Sequence, residues 1–175
     1  MPSNATESPV LIIGYGNALR GDDGAGPEAA RRLKASLPRR WASVLTAHQL
    51  LPEMAEPLSR AQWAIFIDAD CRLQPGRIRR RRVRIVQPTV ADAAHQQGPE
   101  GILRLARDLY GRCPRALLYG VGAASFAYEQ ALSPPVRAAL PRVVRDVMRV
   151  VRRASAGLAW RLPGARRGKR ECRHA

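Results

Sequence analysis

Short apolar runs alternate with stretches of helical periodicity from residue 9 to residue 153. The runs at 9–14, 42–47, 63–68, 82–87 and 115–121 read as strands. The third, Trp63-Ala64-Ile65-Phe66-Ile67-Asp68, is apolar almost throughout, as a central strand covered on both faces should be. Helical spacing predicts helices over 26–37, 52–59, 98–111 and 134–153. Pro38 stops the first, and Pro52 occupies a plausible first turn in the second. In the last, Val136, Leu140, Val143, Val144, Val147 and Val151 fall on one apolar face. This alternation predicts an α/β fold: a single domain over 1–153 whose open, mostly parallel twisted sheet of about five strands carries helices on both faces. From residue 154 onward, Gly157, Pro163, Gly164 and Gly168 interrupt a basic stretch with no apolar face. Residues 154–175 are therefore expected to form a disordered tail.

Charge changes this picture less than its total suggests. The formal net charge is +16, which at first points to nucleic acid. Most of it sits in two places: six arginines within residues 77–84, and nine Lys/Arg against one acid in residues 149–175. The remainder is nearly neutral. Such blocks are expected to be solvated, and with only Trp160 near the tail for stacking, an RNA-binding reading is poorly supported. No apolar run approaches the length of a membrane span, and residues 1–9 lack the pattern of a Sec signal. Cys71, Cys113 and Cys172 form no C-x-x-C pair, which argues against a disulfide framework or a cysteine zinc site. A cytoplasmic location and a monomer are expected.

The chemistry is concentrated at the first strand's exit. Gly14-Tyr15-Gly16-Asn17-Ala18-Leu19-Arg20-Gly21-Asp22-Asp23-Gly24-Ala25-Gly26 is a glycine-punctuated loop that ends in paired acids. A phosphate cradle needs bare N–H groups and a positive field, so Asp22 and Asp23 point to a cation or to proton chemistry instead. Leu19 replaces the third glycine of a dinucleotide fingerprint, and there is no Gly-Lys-Ser/Thr. Asp68 ends the apolar third strand, where burial of a carboxylate is costly unless a cation or donors compensate. His95 precedes the third helix. Asp23, Asp68 and His95 thus come from three strand-end loops, and two carboxylates with one imidazole suit a divalent first-row metal. His48 is the alternative histidine. Asp22 is expected to serve the loop's own hydrogen bonds. Cys71 has no evident basic partner, and Ser125 lacks the Gly-x-Ser-x-Gly context of a hydrolase nucleophile.

These residues resemble the nickel–iron hydrogenase maturation endopeptidases. The resemblance rests on Gly14 to Pro27, on Ile65-Phe66-Ile67-Asp68-Ala69, on His95 before its helix, and on Gly120-Val121-Gly122-Ala123-Ala124-Ser125-Phe126 followed by Leu132-Ser133-Pro134-Pro135-Val136. It implies an endopeptidase that clips a C-terminal extension from the nickel-loaded precursor of a hydrogenase large subunit. Asp23, Asp68 and His95 would then be both the catalytic and the metal-contacting residues. The nickel would belong to the precursor, with no resident cofactor. A non-catalytic checkpoint module that binds the same precursor is the alternative. Many relatives carry a glycine–threonine motif after the second strand, where this chain has His48-Gln49-Leu50-Leu51-Pro52. The arginine block and the tail lie outside the family pattern.

Overall fold

The structure is a computed structural model that describes residues 9–85, 98–128 and 131–156. In chain order the elements are β1 (Val10–Tyr15), a 3-10 turn (Gly21–Gly24), α1 (Ala25–Ser36), β2 (Ala42–Ala47), a second 3-10 turn (Pro52–Met54), α2 (Ala55–Arg60), β3 (Trp63–Asp70), β4 (Ile78–Val83), α3 (Pro99–Tyr110), β5 (Arg115–Gly122) and α4 (Pro134–Ser155). They build one five-stranded sheet in the order β2-β1-β3-β5-β4. The first four of those strands are mutually parallel; β4 runs antiparallel to β5 at the edge.

The alternation of side chains along each strand separates two cores. Val10, Ile12, Ile65, Ile67, Leu117, Tyr119 and Val121 face α1 and α4. Leu11, Ile13, Ala64, Phe66 and Ala116 face α2 and α3. Five consecutive residues of β3, Trp63 to Ile67, are buried because this strand lies mid-sheet under helices on each side. Full burial of a side chain such as Ile65 or Phe66 contributes about 1.5–3 kcal/mol. The second core also explains a short α2: six residues suffice when Ala55 and Leu58 are clamped between sheet and α3.

The strand expected at 82–87 is corrected to 78–83, and so is the expectation of a merely solvated arginine block. Three arginines of this edge strand reach acids on three other elements. Arg79 pairs with Asp70 at the end of β3 (2.8 Å), Arg80 with Asp146 of α4 (2.9 Å) and Arg81 with Glu100 of α3 (2.7 Å). Arginine-rich sequence reads as solvent-exposed until its partners are placed, and those partners lie up to 66 residues away. α4 continues two residues past the expected domain boundary at 153. The rest of the proposed tail, from 157, lies outside the described residues, as does His95.

Candidate active site at the carboxyl edge of the sheet

From β1 the chain moves outward to β2, then crosses back to β3 on the other flank of β1. In open α/β sheets this reversal leaves a crevice beyond the carboxyl ends of the two strands, where ligands bind. The loop carrying Asp23 leaves β1 at that point, and Asp68 lies in the last turn of register of β3.

Close packing fixes the loop. Gly16 has φ +133°, and a Cβ there would strike the Asp23 backbone. At Gly26, in the first turn of α1, a Cβ would run into the carbonyl oxygens of both Tyr15 and Ile67. α1 therefore starts jammed between the ends of β1 and β3, which only glycine permits. The Asn17 N–H donates to Asp23 Oδ2 at 2.7 Å, while Asn17 Oδ1 accepts from the Leu19 N–H at 2.9 Å. Asp23 is half-buried and oriented by the backbone of its own loop.

Asp22 does something else. It is 0% exposed and accepts from the backbone N–H groups of Ala124 (2.7 Å), Ser125 (3.2 Å) and Ser133 (2.7 Å), and from the Ser133 hydroxyl (2.8 Å). Its own N–H donates to the Ser125 carbonyl at 3.1 Å. Burial pushes its carboxyl up, but these donors outweigh burial and hold it below the usual range. Its bonds go to the β5–α4 connection, not to its own loop as expected. Ser133 stands at the N-cap of α4, yet its hydroxyl makes no capping bond to that helix and turns to Asp22 instead.

Asp68 is mostly buried, and that desolvation is the main reason its carboxyl is pushed up to about 6. Tyr15 and the Ala69 N–H donate to it and pull the other way, while Asp23 and Asp70 add like charge. Gly14 pairs with Ile67 in the parallel register, so Tyr15 and Asp68 are cross-strand neighbours on the α3 side. The Tyr15 hydroxyl is held far above its ordinary value, first by burial and then by Asp68. Asp70 is held in ion pairs with Arg72 and Arg79 at 3.2 and 2.8 Å, which keep it charged. That leaves Asp23 and Asp68 as the two carboxylates at the crevice, one of them able to exchange a proton near neutral pH.

Of the expected site residues, then, Asp23 and Asp68 come together. Among the described residues no three His, Cys, Asp or Glu side chains form a metal-holding group, and the third expected member, His95, is not among them. His48 is exposed just past β2 on the same edge. Cys71 is exposed beyond β3. The Ser125 hydroxyl accepts from the Ala127 N–H (3.1 Å) and braces its loop. Tyr15 was not anticipated; its place one register step from Asp68 appears only once the strands are paired.

Known proteins give the site its context. No family model matches the chain. It is 31% identical over 150 residues to the hydrogenase expression/formation protein HupD of Bradyrhizobium diazoefficiens, covering 78% of this chain and 74% of that protein. The chain belongs to the hydrogenase maturation endopeptidases. Among solved structures, the hydrogenase 2 maturation peptidase of a Thaumarchaeota archaeon is 27% identical, with a TM-score of 0.62 over 82% of this chain and 98% of that one. The hydrogenase maturating endopeptidase HybD of E. coli shares the fold at a TM-score of 0.70 and 23% identity, over 83% of this chain and 93% of that one. This maturation endopeptidase is accordingly a hydrolase of peptide bonds, and none of its described helices is long and apolar enough to cross a membrane.

Proposed function

We propose that this endopeptidase removes the C-terminal extension of a nickel–iron hydrogenase large subunit after nickel has been inserted, and that the metal of the precursor is the mark it reads. Asp23, Asp68 and His95 are the groups assigned to that mark and to the cut. The observation that carries the reading is the convergence of Asp23 and the largely buried Asp68, close enough to feel each other's charge, at the β1/β3 crevice. A divalent cation delivered there by the substrate is attracted by both carboxylates and favours the charged form of Asp68. The same cation polarises a nearby peptide carbonyl or an attacking water, and Asp68 is suited to take up the water's proton. On this proposal the protease is of an aspartyl type, a cytoplasmic monomer, and without a resident cofactor.

The test is to incubate the purified protein with nickel-loaded precursor from the cognate hydrogenase and follow intact mass. Loss of the extension is expected, with Asp23→Ala and Asp68→Ala each slowing it by roughly 10²-fold or more. A precursor of unchanged mass after incubation with the wild-type protein would sink the proposal, and binding without cutting would point to the checkpoint role.

A further inference from the structure

Beside the carboxylate crevice lies a groove of about 520 Å³ between the start of α1 and the β5–α4 connection. Gly24, the residue after Asp23, lines it together with Glu28, Arg31, Arg32, Leu132 and Arg137. Its charge is opposite to that of the crevice. Glu28 is fully engaged: Oε2 accepts from Arg31 Nε (2.7 Å), and Oε1 accepts from Arg31 Nη2 (2.9 Å) and Arg32 Nε (2.7 Å). One glutamate thus orients two guanidinium groups while cancelling only one charge. The Arg31 side chain remains 70% exposed. Arg137 is held by the Leu132 carbonyl at 3.0 Å, and among the described residues no carboxylate pairs with it. Three arginines against one acid leave the groove with a net positive charge on prearranged donors, and guanidinium forks match carboxylates geometrically.

We propose that this groove binds the carboxylates of the precursor's C-terminal extension, so that the cleaved segment is gripped by Arg31, Arg32 and Arg137 while the metal-bearing part sits on Asp23 and Asp68. This inference rests on the processing role proposed above. The adjacent site already claims the cationic part of the substrate, and the groove starts one residue from Asp23. A segment bound at Asp23 therefore has the groove within reach, since Gly24 next to it is part of the lining. The extension always ends in a carboxylate, so it brings an anion of the kind the groove accepts. Opposite fields side by side also fix the direction in which the substrate lies, because a reversed chain would place its anions against Asp23 and Asp68.

Two measurements decide this. In the first, a fluorescent synthetic peptide copying the extension is titrated with the protein by anisotropy, alongside a copy with its acids replaced by amides and its terminus amidated. In the second, KM and kcat are measured for the nickel-loaded precursor. Arg137→Ala is expected to weaken peptide binding and raise KM roughly three- to ten-fold, with kcat held within about two-fold. Arg137→Glu should do more and Arg137→Lys less. Salt should weaken the wild type far more than Arg137→Glu. Equal binding of the acidic and amidated peptides, or unchanged KM in Arg137→Ala and Arg137→Glu, overturns the groove assignment. Arg137-dependent peptide binding with no cutting by the wild type upholds the groove and removes the processing reading instead.

Discussion

Asp22 and Asp68 show how two identical side chains acquire opposite properties. Asp22 is buried among four donors, so its charged form is favoured. Asp68 is buried with fewer donors and beside other acids, so its charged form is disfavoured. For Asp68 the consequence has a sign. Its carboxyl rises from 3.8 to about 6 on folding, so the native state holds the proton more tightly than the unfolded chain. The stability this provides is fully present below pH 3.8 and is lost as pH rises through about 6. Asp68→Asn, which stays neutral and keeps an acceptor for Tyr15, should therefore stabilise the fold at pH 7.5 by about 1–3 kcal/mol. The gain should vanish below pH 3.8, and processing should be lost throughout. Urea unfolding of wild type and variant across this range checks the prediction; an Asn variant less stable than wild type at pH 7.5 contradicts it.

At the scale of elements, the junction of α1 with β1 and β3 governs the site. Alanine normally favours a helix over glycine by about 1 kcal/mol. At Gly26 that preference should reverse, since the new methyl meets the carbonyls of Tyr15 and Ile67. Gly26→Ala is expected to cost about 2–4 kcal/mol and to reduce processing, because the shift is passed to the preceding turn and Asp23. Thermal unfolding and the mass assay together read both effects. Periodicity alone located both buried parallel strands of the crevice, although β3 runs two residues past the expected end at Asp68, to Asp70, and Asp23 followed from the glycine loop after β1. β4 lies at 78–83 and not at the expected 82–87, because its arginines obscured the strand pattern and their acids lie on other elements. Tyr15 and the Asp22–Ser133 contact escaped for a related reason: each depends on which strands and loops become neighbours, which local pattern does not encode.

On the scale of the whole molecule, the 3-10 turn after β1 is bonded to the loop that introduces the last helix, across 111 residues of chain. Asp22→Asn replaces one acceptor oxygen by a donor facing donors, so the Ala124, Ser125 and Ser133 groups can no longer all be satisfied. A loss of about 1–3 kcal/mol is expected at neutral pH, shrinking in acid, where the wild-type carboxyl is itself protonated. Denaturant titrations at both pH values measure it, and equal losses at each would argue against a charged Asp22. This clasp also orders events during synthesis. Asp22 and Asp23 leave the ribosome long before Ser133 does, so a nascent chain has the loop that bears them without the anchor that holds it. The loop that bears both acids is therefore held only once the chain through Ser133 has emerged, so ordering of this edge must wait for that segment.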